Sequence, residues 1–154
     1  PLLQEGVYGL MERLLSSGAT VMLETGGHVS VTRVPEAVVK IMDVKCPGSG
    51  ESDRNLWDNL SVLTIRDQAK FVIADRVDYE FARDTIRRHD LETRCAAVLF
   101  SPVHNVLTPV TLAEWVLEDR LRVRVQLQLH MHLDLALPRG LVAAVDQDGR
   151  MQQL

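Results

Sequence analysis

The sequence predicts an α/β fold whose sheet is mostly parallel, with about five strands and interleaved helices. Two observations carry that prediction. Short apolar runs at Thr20–Leu23, Val38–Val44, Lys70–Ala74, Ala96–Phe100 and Val123–Leu129 are separated by segments whose apolar residues recur at helical spacing. The runs also end in polar residues: Glu24-Thr25, Asp43 with Lys45, Asp75, Ser101 to His104, and His130. Where strands alternate with helices, the carboxyl ends of the strands gather on one rim, and parallel sheets hold ligands there.

Taken in order, Gln4–Ser17 puts Val7, Leu10, Met11, Leu14 and Leu15 on one helical face, and Gly18 suits its end. Thr20–Leu23 is a buried strand. Gly26-Gly27 beyond it permit a tight turn or close approach by a ligand. Residues 29–34 form a connector, and Pro35-Glu36 can open a short helical turn. Val38–Val44 is the second buried strand. Its loop, Cys46–Ser52, is rich in Gly, Ser and Pro but lacks the Gly-Lys-Ser/Thr ending of a phosphate-binding loop. The expectation there is a turn in which Ser52 or Asp53 caps a helix carrying Leu56, Trp57, Leu60 and Leu63. After the third strand, Asp78–Arg88 is a helix with Tyr79, Ala82 and Ile86 inward and its charges on a solvated face. Thr111–Glu118 is a helix capped by Thr111, with Leu112, Trp115 and Val116 inward. In the fifth run Arg122, Arg124, Gln126 and Gln128 alternate with Val123, Val125, Leu127 and Leu129. That period of two gives one polar face, as expected of an edge strand or of one facing a site. Residues 138–154 are polar and weakly patterned, and a frayed tail is expected.

The 154 residues fit one domain with a real core, and 46% hydrophobic with 25% charged residues is ordinary for a globular protein. A net charge of −4 argues against a general nucleic-acid binder. No apolar run approaches the ~20 residues of a membrane span. No secretory signal is visible, and Cys46 and Cys95 form neither a metal nor a disulfide pattern, so a cytoplasmic location is the expectation.

The rim groups suit a small polar ligand without naming a reaction. His130 and His132 share a strand face and could hold zinc, but spacing supplies no third ligand. Ser101 with His104 lacks the strand-to-helix elbow of a nucleophilic serine. Lys45 could form a Schiff base, yet Asp43 stands on the same face, which favours a charge-paired lysine. Cys46 could be reactive beside Lys45, though a structural thiol is the simpler reading.

Five segments in order carry a resemblance: Glu-Thr-Gly-Gly-His at 24–28, Asp-Val-Lys-Cys-Pro-Gly-Ser-Gly-Glu at 43–51, Lys-Phe-Val-Ile at 70–73, Ser-Pro-Val-His at 101–104 and Gln-Leu-His at 128–130. Together they resemble the 7-carboxy-7-deazaguanine synthases, radical S-adenosylmethionine enzymes of queuosine biosynthesis, over roughly residues 1–141. The resemblance implies a partial, incomplete parallel barrel and a homodimer. It implies ring contraction of 6-carboxy-tetrahydropterin to 7-carboxy-7-deazaguanine with loss of ammonia, using S-adenosylmethionine, a four-iron cluster and magnesium. By position, Asp43, Val44 and Lys45, and Ser101, Pro102, Val103 and His104, would contact the cofactor; Glu24, Thr25 and His130 would contact the substrate.

Departures from the family pattern are equally plain. Asp43-Val44 stands where much of the family has Ser-Pro, and Met131 where it commonly has Lys. Cys46 and Cys95 cannot replace the family's three cluster cysteines in number or spacing. Pro1 resembles the end of the family's Gly-Gly-Glu-Pro motif, and residues 142–154 extend past the usual end. The expectation is therefore the C-terminal two-thirds of such an enzyme, unable alone to build the cluster or hold magnesium. The alternative is a non-catalytic binding or interaction module on the same scaffold. A third, weaker idea is a barrel hydrolase using a metal at His130 and His132.

Overall fold

The computed structural model describes residues 1–127 and the backbone of 143–145 and 151–153. Five strands, β1 (Met22–Thr25), β2 (Val39–Val44), β3 (Gln68–Ile73), β4 (Ala97–Pro102) and β5 (Arg124–Val125), form one sheet in chain order. Every neighbouring pair is parallel, so the expected α/β architecture holds, and the sheet is open, as in a partial barrel. The main helices are α1 (Gly6–Ser16), α3 (Arg76–Arg88) and α5 (Pro109–Glu118), with single turns at α2 (Asp58–Ser61) and α4 (Leu91–Arg94). In the tail, β6 (Ala143–Val145) pairs antiparallel with β7 (Met151–Gln153); the rest of the segment for which fraying was expected lies outside the described residues.

The two faces of the sheet differ. Leu23, Met42, Val44, Phe71, Ile73, Val98 and Phe100 are buried with Tyr79, Ala82, Ile86, Leu112 and Val116 in one apolar core. Phe100 sits edge-on to both Phe71 and Tyr79, the arrangement aromatic quadrupoles favour. Their sequence neighbours alternate to the other face, where β2 and β3 are only half-buried. This face carries Glu24, Ile41, Asp43, Lys70 and Val72, so half of each strand's side chains were left polar or mixed.

Several boundaries moved for identifiable reasons. Thr108, not Thr111, caps α5: its hydroxyl accepts from the Thr111 N–H at 3.1 Å, and Pro109 occupies the first turn. Ser52 and Asp53 cap no α-helix; residues 52–54 form a 3-10 turn. The helix expected around Leu56–Leu63 shrinks to α2, because Asn55 and Asn59 spend this segment on binding other loops. Leu60 and Leu63 still reach the core, while Leu56 and Trp57 stay partly exposed. The fifth strand is two residues long as described, and residues 128–129 lie outside the described residues. Pro35-Glu36 makes a turn, with Val38 N–H donating to the Pro35 carbonyl.

One expectation about α3 fails. Asp78 is not on a solvated face: it is 1% exposed, and its carboxylate accepts from the Gly48 N–H at 2.7 Å and the Ala74 N–H at 3.0 Å. Asp75 caps the same helix by accepting from the Asp78 N–H at 2.9 Å.

Candidate functional site

The carboxyl ends of β1 to β4 do form one rim, because all four strands run the same way. Lys45 follows the last β2 residue paired to β3, Val44. Asp43 and Lys45 point to the open face, two residues apart, and their oxygen and nitrogen meet at 2.6 Å. The charge-paired lysine expected there is what the fold contains, and it argues against a free amine poised for a Schiff base. The second Asp43 oxygen, Oδ1, is buried without a hydrogen-bond partner.

Ser101 repeats this pattern on β4. It is fully buried, and its Oγ also lacks a partner. Buried polar atoms are normally satisfied, so two such oxygens, on β2 and β4 either side of β3, suit a polar ligand. Pro102 continues β4, and the Val103 N–H donates to the Ile73 carbonyl at 2.8 Å, which draws the loop over the end of β3. His104 lines a cleft of about 290 Å³ with Pro102 and residues 105–109.

Two further clefts adjoin. One of about 190 Å³ lies among Asp43, Lys45, Ser49, Val72, Asp78 and Val103. The other, of about 380 Å³, is lined by Gly26, His28, Lys45, Glu51 and Arg54. Lys45 is a wall of both. The Gly26-Gly27 turn is a close backbone approach: Gly27 has φ +74°, and a Cβ there would stand 3.0 Å from the Met42 sulfur.

Glu24 and Thr25 separate. Glu24 reaches over the open face and pairs with Lys70 at 2.7 Å, whereas Thr25 is buried on the opposite side. Val44 also belongs to the core, so only its backbone can face the rim. His130 and His132 lie outside the described residues. Among the described residues, no three His, Cys, Asp or Glu gather as a metal site.

Sequence reasoning missed Lys70, Asn55 and Asp78. Lys70 was visible as a lone cation in an apolar run, an unusual placement for a lysine unless paired. Asp78 redirects the reading of the Cys46–Ser52 loop. The Gly48 N–H that a phosphate would need is held by a carboxylate, and a Cβ at Gly48 would lie 2.6 Å from Asp78 Oδ2. This glycine serves a loop-to-helix latch rather than an anion cradle. Cys46 is a structural thiol: burial, reinforced by the Asp78 and Asp43 carboxylates, pushes its pKa far up.

No protein-family model matches the chain. Curated relatives do. The chain is 48% identical over 136 residues to the 7-carboxy-7-deazaguanine synthase of Koribacter versatilis, covering 80% of this chain and 60% of that protein. It is 41% identical over 126 residues to the enzyme of the same name from Chlorobaculum tepidum, covering 80% and 57% respectively. The Methanospirillum hungatei enzyme of that name is 38% identical over 106 residues, covering 68% and 43%. The chain therefore spans about 60% of the length of the first of these relatives.

Proposed function

We propose that this chain, a homologue of the 7-carboxy-7-deazaguanine synthases over four-fifths of its length, is the cofactor- and substrate-facing rim of such an enzyme. The reaction is ring contraction of 6-carboxy-tetrahydropterin to 7-carboxy-7-deazaguanine with release of ammonia, a carbon–nitrogen lyase step towards queuosine. The observation that carries this reading is 48% identity to a named synthase over 136 residues, 80% of this chain. It also favours an enzyme over a non-catalytic interaction module.

The residues fit S-adenosylmethionine, which when bound supplies the radical chemistry of the family. Asp43 Oδ1 and Ser101 Oγ are buried acceptors without partners, suited to ribose hydroxyls or amino hydrogens. Lys45 pairs with Asp43 at 2.6 Å, and its side chain stays one-third exposed. His104, Pro102 and Val103 form the neighbouring wall. Glu24, with Lys70 as counter-ion, faces the same side and is assigned to the substrate; the resemblance adds His130 and Thr25, the latter through its backbone, since its side chain is buried on the core side.

Among the described residues, nothing fits the four-iron cluster or magnesium. Cys46 and Cys95 are both buried in the core, and the described residues offer no metal cluster. Three thiolates from elsewhere would be needed for the cluster. A homodimer in the cytoplasm is part of the same reading; among the described residues, no helix is long and apolar enough to cross a membrane.

Calorimetric titration with S-adenosylmethionine, on the chain after anaerobic iron and sulfide reconstitution, tests the proposal. The expected result is binding that weakens about tenfold in Asp43→Asn, with no cluster formed, since removing one charged hydrogen bond costs ~1.5–3 kcal/mol. No binding by the unaltered chain would overturn it; iron near about four atoms per chain would overturn only the exclusion of the cluster from this chain.

A further inference from the structure

We propose that Asn55 is a positioning residue for Lys45. Its carboxamide closes the neck of the loop between them and fixes the Lys45 ammonium against Asp43, at the wall the two clefts share. Lys45 stands one residue beyond the last register pair of β2 with β3, so its backbone groups have no next strand residue to bond. Asn55 supplies both partners. Its Oδ1 accepts from the Lys45 N–H at 3.0 Å, and its Nδ2 donates to the Lys45 carbonyl at 2.8 Å. An amide offering one donor and one acceptor imitates a strand neighbour, which neither a carboxylate nor a hydroxyl does in this geometry.

The loop between is an Ω-like excursion with its ends pinned together. It runs through two 3-10 turns, Pro47–Ser49 and Ser52–Arg54, joined at Gly50 with φ +70°. Its first turn is anchored by Gly48 on Asp78, and its last residue is Asn55. Four residues on, Asn59 holds the other wall of the larger cleft. Its Nδ2 donates to the Gly27 and Val29 carbonyls at 3.0 and 2.9 Å, and its Oδ1 accepts from the Val31 N–H at 3.0 Å. One short segment thus sets the spacing between the Gly26–His28 loop and Lys45. Partners that orient a metal's ligands change affinity or activity by about 10- to 100-fold when removed, and a loss of the same order is expected for Lys45. The inference rests on the proposed function only for what Lys45 contacts; the positioning stands on the hydrogen bonds alone.

Lys40, Lys45 and Lys70 are the chain's three lysines, so a ¹⁵N-ammonium spectrum reads Lys45 individually. In Asn55→Ala, and equally in Asn55→Asp, which sets a carboxylate against the Lys45 carbonyl, the Lys45 signal should move while those of Lys40 and Lys70 stay. Acylation of Lys45, followed by peptide mass spectrometry, should speed up about tenfold, and S-adenosylmethionine affinity should fall about tenfold. A purely structural role would lower the melting temperature without singling out Lys45. An unchanged Lys45 signal and acylation rate would overturn the proposal. If Lys45 responds but neither wild type nor variant binds S-adenosylmethionine, the positioning role stands and the proposed function falls. If the variants do not fold, hydrogen exchange on the unaltered chain decides: protection of the Lys45 amide and the Asn55 carboxamide supports the role, and exchange at free-loop rates overturns it.

Discussion

The rim is braced by buried polar side chains that each bond two or more backbone groups, and Asp78 shows what that does to its surroundings. Its carboxylate ties the loop after β2 to the start of α3, and it helps to keep the Cys46 proton in place. Burial likewise pushes Cys95 up to about 11, with the Asp67 carboxylate adding to the effect. Both thiols should therefore resist a disulfide reagent at pH 8 in the native protein and react only after denaturation. Rapid labelling of either without denaturant would contradict the buried placement. A second residue-scale prediction concerns Gly48. Replacing it with Ala puts a Cβ 2.6 Å from Asp78 Oδ2, an overpacking that should cost about 2 kcal/mol. Asp78→Ala removes the obstacle, so the double variant should lose clearly less than the sum of the single losses in urea denaturation. Additive losses would show that the two residues do not meet.

At the scale of elements, the strands were legible because their apolar runs are short and bounded, and α3 because Tyr79, Ala82 and Ile86 recur at helical spacing. The rim was legible in part: an acid and a base two apart on a strand must share a face, and Asp43 and Lys45 do. What stayed hidden depends on long-range pairing. Nothing in local sequence shows that Asp67 ties β2 to the turn before β3. Its Oδ1 accepts from the Lys40 N–H at 2.7 Å and lies 3.2 Å from the Lys40 ammonium, and its Oδ2 accepts from the Thr64 N–H and hydroxyl. Burial, the largest single influence, would raise the Asp67 pKa, but these four partners together outweigh it and hold the pKa below the usual value. A lowered carboxylate pKa contributes stability that is present above the unfolded value of about 3.9 and is lost as pH falls through the folded one. Asp67→Asn should thus cost ~3–5 kcal/mol at pH 7, because it strands the Lys40 charge. The gap to wild type should narrow between about pH 4 and pH 2. Equal gaps in urea midpoints at pH 7 and pH 2 would show that Asp67 is not ionised in the native state.

For the whole molecule, the open sheet has a consequence at its first edge. Strand order places β1 outermost, paired through Met22–Thr25 to β2 alone among the described strands. Met22 is 57% exposed on it, and Leu10, Leu14 and Leu3 add exposed apolar surface in the residues just before. An unpaired parallel edge with apolar neighbours is a template for another strand, and charge or proline, the usual protections, is absent from Met22 and Leu23. Glu24 cannot supply that protection, since its carboxylate is turned onto the open face by Lys70. The isolated chain should therefore self-associate as its concentration rises, and sedimentation should show the weight-average mass climbing. Met22→Lys should suppress that rise while leaving the core intact, because Met22 is not among the buried residues. A single monomeric species over the whole concentration range would mean that the edge is covered by the chain itself. Suppression by Met22→Lys would locate the contact at β1, where the sheet could accept another strand and continue its parallel order towards a fuller barrel.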